Sequence, residues 1–445
     1  MEKISVFGTG YLGATHAAGM AELGHEVVGV DVDEEKIERL RQGEVPFFEP
    51  GLPELLTKHV ESGRLRFTTD AAEAADHADV HFIGVGTPQK PGENAADMRF
   101  VDSVIETLAP LMARPGVILG KSTVPVGTAQ RLAKRVRELA PVGDQAELGW
   151  NPEFLREGFA VEDTLRPDRL VLGVDHHNPG TVEAVARSVY APIIEAGTPF
   201  LVTDLATSEL VKVSANAFLA TKISFINAVA EICEVTGADV NQLADAIGFD
   251  DRIGRKFLGA GIGFGGGCLP KDIRAFQARA EELGVGRALG FLREIDDVNL
   301  RRRVHVVDLA REAVGGDLKD AKVAVLGAAF KPNSDDIRDS PALDVAGKLH
   351  LAGAAVQVFD PQAMEKAKKV WPTLEYTSSI EDAVRGANVV VVATEWAQFR
   401  EADPHVLAGL AAHPHVIDAR NCLDVEAWRT AGWTYQGLGR HATAG

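Results

Sequence analysis

Apolar residues fall in two rhythms along this chain. Short unbroken runs predict strands at Ile4–Phe7, Glu26–Asp31, Val80–Val85 and Val117–Gly120 in the first third. A second set falls at Lys322–Gly327, Val356–Asp360, Asn388–Ala393 and Val416–Asp418 in the last third. Between the two sets the apolar period lengthens to that of a helix, over Ala206–Thr236, Ile273–Leu283 and Arg287–Ala313. The pattern is α/β, then helical, then α/β again. It predicts two doubly wound domains joined by a helical middle domain, with boundaries at 1–200, 201–310 and 311–445.

Turn chemistry sharpens the first domain. Gly8-Thr9-Gly10-Tyr11-Leu12-Gly13 lies between a strand and a helical pattern that runs to Leu23, and Asp31 ends the next strand eighteen residues beyond Gly13. In that context the glycine string is a dinucleotide fingerprint, and the domain is Rossmann-like. Two glycines allow a tight turn and close pyrophosphate approach, and the third lets helix and strand pack. Asp31 disfavours a 2′-phosphate, which selects NAD over NADP, with Lys36 as a mild counter-signal. Gly86-Thr87 and Lys121-Ser122-Thr123 follow later strands, so Thr87 and Thr123 are site candidates at strand carboxyl ends. His81, inside an apolar strand, reads as structural. The last third resembles a second nucleotide-type lobe without the fingerprint, and its cations Lys331, Arg338 and Arg420 suit phosphates.

Candidate chemistry centres on Gly261-Ile262-Gly263-Phe264-Gly265-Gly266-Gly267-Cys268-Leu269-Pro270-Lys271-Asp272. Five glycines in seven residues leave little side-chain bulk, so its amides are expected to approach a ligand. Pro270 suits a helix start, which places Cys268 just ahead of a helix dipole that favours a thiolate. Cys233 and Cys422 read as inert. In Asn151–Gly158 a helical turn opened by Pro152 would put Glu153 and Glu157 on one face. Ser208, Lys212 and Asn216 fall at four-residue spacing on the long middle helix, with Lys212 flanked by apolar residues.

Composition excludes more than it assigns. The chain has 445 residues, 46% hydrophobic and 25% charged, with a net charge of −18 that argues against nucleic acid or an anionic membrane as partner. Three cysteines give no disulfide framework. No apolar run approaches a membrane span, and the N-terminus enters a strand directly, so a cytoplasmic location is expected. No His/Cys/Asp/Glu spacing suggests a metal.

A hydride acceptor beside a reactive thiol fits aldehyde oxidation through a thiohemiacetal and a thioester. Over essentially its full length the chain resembles the UDP-glucose/GDP-mannose dehydrogenase family. The segments that carry the resemblance are Gly8–Gly13, Lys121–Thr128, Asn151–Gly158, Gly263–Asp272 and Phe330–Ser340. The resemblance implies a four-electron oxidation of UDP-glucose to UDP-glucuronate with NAD. It implies Cys268 as nucleophile, Lys212 and Asn216 as oxyanion donors, Thr123 and Asp272 on a water, and Glu153 as acid/base. The cofactor set it implies is Gly8, Gly10, Tyr11, Leu12, Gly13, Asp31, Lys36, Gly86, Thr87, Thr123, Glu157, Lys271 and Arg338. The UDP-sugar set comprises Glu153, Phe154, Leu155, Glu157, Lys212, Asn216, Phe264, Gly265, Cys268, Lys331 and Arg420. Arg252 of a partner subunit completes that set in a homodimer or larger homo-oligomer. GDP-mannose or another nucleotide sugar is the alternative substrate. A two-electron hydroxy-acid dehydrogenase or a non-catalytic sensor would leave Cys268 unexplained.

Overall fold

The computed structural model describes residues 1–176 and 179–440. The chain divides into two compact units, Met1–Ala215 with Ala278–Gly284, and Asn216–Gln277 with Val285–Gly445. Each is built on one sheet.

The first unit holds β1 (Lys3–Phe7), β2 (Glu26–Val30), β3 (Leu65–Thr68), β4 (Val80–Ile83), β5 (Gly116–Gly120), β6 (Ala146–Trp150), β7 (Leu170–Val174) and β8 (Phe200–Asp204). Their order is β3-β2-β1-β4-β5-β6-β7-β8, parallel except for an antiparallel β6–β7 contact. The order of strand addition reverses at β1, with parallel β2 on one side and parallel β4 on the other, so a crevice opens beyond their carboxyl ends. Register aligns Phe7 with Ile83, Ile83 with Gly120 and Gly120 with Trp150. The segments starting at Gly8, Gly84, Lys121 and Asn151 therefore leave the sheet on one edge. Both sheet faces are apolar, as crossover helices require: Ile4, Val6 and Phe82 pack on one, and Phe7, Val28 and Ile118 on the other.

The second unit holds β9 (Lys322–Leu326), β10 (Ala355–Phe359), β11 (Glu375–Tyr376), β12 (Val389–Val392), β13 (His415–Asp418) and β14 (Thr434–Gly437). All are parallel, in the order β11-β10-β9-β12-β13-β14. One continuous helix, Leu205–Thr236, crosses from the first unit into the second. Helices Val240–Gly248 and Phe291–Ala313 belong to the second unit.

The two doubly wound sheets and the helical region stand as expected. Two local readings change. The helix expected from Arg287 starts at Phe291, after a 3-10 turn over Gly286–Leu289 and Gly290 at its N-cap. Asn151–Gly158 is an irregular loop rather than a helical turn. Strands β3, β6, β7, β8, β11 and β14 go beyond the sequence expectation. β11 is only two residues long, too short for a period to register.

Candidate functional site

In the first unit, β1 delivers the glycine turn and the helix Tyr11–Glu22 follows it at once. The three glycines do different work. Gly8 has φ +90°, and a Cβ there would meet Val85 Cγ1 at 2.6 Å. A Cβ on Gly13 would lie 1.7 Å from the Gly8 carbonyl oxygen. A Cβ on Gly10 would meet nothing within 4 Å, so this part of the turn faces open space. The helix has no side-chain N-cap and no acid in its first turn, which leaves its first amides for an anion. This arrangement fits a dinucleotide pyrophosphate.

Asp31 follows β2. Its Oδ2 accepts from Thr9 N at 2.8 Å and Thr9 Oγ1 at 3.1 Å, and pairs with Lys36 Nζ at 2.9 Å. Burial would raise its pKa, but these donors outweigh that and hold it below the ordinary carboxylate value. Lys36 is thus Asp31's ion-pair partner. On the same sheet edge, Gly86 is exposed, and Thr87 is buried with its hydroxyl donating to the Thr123 carbonyl at 2.8 Å. Thr123 is half-buried. His81 is fully buried against Ser5 Oγ at 2.7 Å, and burial lowers its pKa to about 4, as a structural histidine should show.

The Asn151–Gly158 loop is pinned at both ends. Asn151 Oδ1 accepts from Lys121 Nζ at 3.0 Å and Tyr190 OH at 2.7 Å, and its Nδ2 donates to the Val171 carbonyl at 2.7 Å. Burial pushes Lys121 down to about 8, opposed by the Glu153 carboxylate and reinforced by Lys212. At the far end the buried Glu49 carboxylate accepts from Gly158 N at 2.6 Å and Ala160 N at 2.7 Å, and from the Tyr11 hydroxyl. Between these anchors, Glu153 Oε1 lies 3.1 Å from Lys212 Nζ, while its Oε2 accepts from Leu155 N at 2.5 Å. Lys212 and Glu153 side chains are only 5% and 12% exposed, so this is a largely desolvated pair. Phe154 stacks under the Arg169 guanidinium at 3.9 Å, with Lys212 Nζ at 5.6 Å from the ring centre. Glu157 is half-buried and electrostatically coupled to Tyr11.

In the second unit, Cys268 is an exposed cysteine outside any disulfide, immediately before the helix Leu269–Glu282. Its carbonyl accepts from Asp272 N at 3.0 Å, which closes the first helical turn. The Asp272 carboxylate is 2% exposed and held by Asn216 Nδ2 at 2.7 Å and Lys271 Nζ at 2.5 Å. The structure therefore groups Asn216, Lys271 and Asp272 in one hydrogen-bonded set beside the cysteine's turn. Cys233 is buried, and Cys422 is held by Asp418 with its pKa raised by burial, so both fit the inert reading.

The glycine loop is closely packed by protein on its side-chain side. Gly261 to Gly266 are buried, and added Cβ atoms would strike protein. At Gly263 the obstacle is Asn299 Oδ1 at 2.3 Å, and at Gly265 it is the Asp339 carbonyl oxygen at 2.2 Å. Gly266 abuts the Phe330 ring at 2.7 Å and Gly267 the Arg338 guanidinium at 2.2 Å. Small size here serves internal packing. Asn299 clamps Phe264 by both backbone groups, and Arg303 Nη2 donates to the Phe264 carbonyl at 3.0 Å. Arg420 donates to the carbonyls of Gly263, Phe330 and Ala393 at 2.8–3.0 Å. It therefore braces the loop. Lys331 is half-buried with its ammonium 5.4 Å from the Phe330 ring centre, and Arg338 is exposed and paired with Asp336 at 2.6 Å. Arg252 is 88% exposed, folded onto Asp250 at 2.6 Å.

Glu49, Lys121, Asn299 and Arg303 went unread in the sequence. Only tertiary contact shows their roles, although a buried-looking acid in Phe47-Phe48-Glu49-Pro50 was a usable signal.

Residues 2–194 match the NAD binding domain of the UDP-glucose/GDP-mannose dehydrogenase family, 206–301 its central domain and 324–425 its UDP binding domain. The chain is 42% identical over 438 residues to a UDP-glucose 6-dehydrogenase of Rhizobium meliloti, covering 98% of this chain and 99% of that one. It is 40% identical over 448 residues to UDP-glucose 6-dehydrogenase TuaD of Bacillus subtilis, covering 100% and 95%. A UDP-glucose dehydrogenase structure from Pyrobaculum islandicum superposes with a TM-score of 0.90 at 39% identity, covering 99% and 98%. This chain belongs to the UDP-glucose/GDP-mannose dehydrogenase family.

Proposed function

We propose that this chain is an NAD-dependent UDP-glucose 6-dehydrogenase that oxidises the C6 alcohol to a carboxylate. The observation that carries this reading is an exposed Cys268 at a helix start, in a chain with full-length UDP-glucose 6-dehydrogenase relatives. When bound, NAD supplies the hydride acceptor, once for the alcohol and once for the thiohemiacetal. Gly8, Gly10, Tyr11, Leu12 and Gly13 hold it at the pyrophosphate and Asp31 at the ribose. Thr87, Thr123, Glu157, Lys271 and Arg338 line the remainder.

The alcohol first loses its hydroxyl proton to a water held by Thr123 and Asp272, as the C6 hydride leaves. Lys212 and Asn216, one helical turn apart on one helix, stabilise the oxygen as charge develops. The Cys268 sulfur then adds to the aldehyde carbon, the carbonyl oxygen takes a proton, and a thiohemiacetal forms. The helix start favours the attacking thiolate. Loss of the second hydride and the hydroxyl proton gives a thioester. Water attacks its carbonyl, Glu153 carries the proton, the C–S bond breaks, and Cys268 returns as thiolate with the acid released.

Phe154, Leu155, Phe264, Gly265, Lys331 and Arg420 complete the sugar-nucleotide site. Domain limits of 1–200, 201–310 and 311–445 and a cytoplasmic location belong to the same reading. Assembly as a homodimer fits the exposed Phe218, Phe225 and Ile232, seven residues apart and so on one face of the long helix. It also gives the exposed Arg252 a partner site, and sedimentation of a fully active monomer would contradict it.

The decisive assay counts NADH per sugar and substitutes the thiol. The unmodified enzyme gives two NADH per UDP-glucose, and a substrate panel ranks UDP-glucose above GDP-mannose and UDP-N-acetylhexosamines. Cys268→Ala abolishes steady acid production while nucleotide binding persists. Near-normal turnover by Cys268→Ala would end this reading.

A further inference from the structure

Glu49 lies outside every segment assigned above, in the connection that precedes the helix Leu52–Glu61. It is 1% exposed, and among the described residues no lysine or arginine pairs with it. A buried carboxylate survives without a cation only when several donors share its charge. Here there are three. Gly158 N and the Tyr11 hydroxyl converge on Oε2, and Ala160 N donates to Oε1.

The donors' identity carries the inference. Tyr11 sits inside the open glycine turn, and Phe47, two residues before Glu49, packs on its ring at 5.0 Å between centroids. Gly158 ends the loop that carries Glu153 and Glu157, and Gly158 has φ +81°, so its amide direction is specified by the backbone. The loop's other anchor, Asn151, is held by Lys121, Tyr190 and Val171 in the sheet core. The Glu49 anchor connects the loop to the cofactor turn, where Tyr11 also meets Gly158 and Glu157 of the loop directly.

We propose that Glu49 is a positioning residue that couples the Gly8–Gly13 turn to the placement of the Asn151–Gly158 loop, so cofactor binding and acid–base chemistry share one carboxylate. This rests on the acid–base reading of Glu153. The Gly158 and Ala160 amides donate to different oxygens of Glu49, so a glutamine in either orientation would turn its NH2 group toward a backbone N–H.

The test uses full-length enzyme and the sugar nucleotide it turns over, with Glu49→Gln, Tyr11→Phe and the double variant. Measurements are kcat, KM for each substrate, and melting temperature. Glu49→Gln is expected to lower kcat at least tenfold and raise the NAD KM at least fivefold. The double variant should fall within twofold of Glu49→Gln, since both changes break the same bond. A Glu49→Gln enzyme with a lower melting temperature but kcat and KM within twofold of normal would overturn the proposal. Losses that multiply in the double variant would do so too. If Glu49→Gln does not fold, Tyr11→Phe decides, because it keeps the ring on Phe47. A threefold rise in NAD KM with lowered kcat supports coupling, and an unchanged kcat overturns it. Glu153→Gln is the control. If it turns over normally, the reading of Glu153 fails by itself, and Glu49 is judged on the NAD KM and the double-variant comparison.

Discussion

The first sheet's first six strands have the same order as the six strands of the second, yet only the first sheet leaves its first turn open. In the first, β1 ends in Gly8-Thr9-Gly10 and a helix with no side-chain cap begins at Tyr11. In the second, β9 ends in Gly327-Ala328-Ala329, and residues 330–340 intervene before the helix Pro341–Leu351. There Ser340 closes the helix start, accepting from Leu343 N at 3.3 Å and donating to the Ala328 carbonyl at 2.7 Å. The acids after the second strands diverge similarly. Asp360 is 1% exposed and accepts from five donors, at Ala328, Ala329, Gln362, Ala363 and Trp396. Asp31 meets fewer donors and keeps an edge to solvent. A Rossmann-like topology supplies the position of a site, and the turn's side chains decide whether it is open.

The largest effect is expected where the open turn cannot form at all. Gly13→Val puts carbon against the Gly8 carbonyl, so NAD binding by calorimetry should fall at least a hundredfold, about 3 kcal/mol. Retained affinity would mean the turn is not the cofactor's seat.

Next comes the pair of acids. Asp360→Ala strands buried donors and should cost roughly 3–5 kcal/mol in denaturant unfolding without changing cofactor preference. Asp31→Ala should cost about 1 kcal/mol or less, yet narrow the preference for NAD over NADP at least tenfold on kcat/KM. Equal destabilisation by both would erase the distinction between a structural and a binding acid.

Acid should separate the units. Burial depresses His81 to about 4, and His16, also in the first unit, is depressed by burial and by Lys121. The folded form therefore binds protons less readily than the unfolded chain, so this stability is complete above about pH 6.5 and is lost as pH falls toward 4. His81 alone accounts for about 3 kcal/mol across that window. Hydrogen exchange should show the first sheet opening before the second, where burial also depresses His415 but leaves it only half-buried. Synchronous opening would count against the assignment.

The smallest effect contrasts two small residues. Gly10→Ala meets open space, so the fold should be unaffected while the NAD KM rises several-fold. Ala329→Gly should cost about 1 kcal/mol or less and leave NAD kinetics alone. A loss of stability at Gly10→Ala would show that its space is filled by protein.

Much of this was legible because its signals are local. A strand, a glycine string and an acid at fixed spacing specify the first turn, since φ and hydrogen-bond constraints act within a few residues. The position of Cys268 before a helix follows from Pro270 in the same way. The Glu153–Glu157 face was misread because Pro152 permits a helical turn without requiring one. In the fold, Glu153 spends one oxygen on Leu155 N and the other on Lys212.

The sequence by itself determined the alternation of strands and helices, the open glycine turn and the residue types able to carry the chemistry. Tertiary structure alone decided what fills the space beside each residue. It made the glycines at 263–267 packing residues, because Asn299, Asp339, Phe330 and Arg338 come from distant segments to meet them. It also made Arg420 a brace and buried Glu49 between two loops. Hydrogen bonds and van der Waals contacts between segments far apart in the chain have no local period, so no pattern along the sequence announces them.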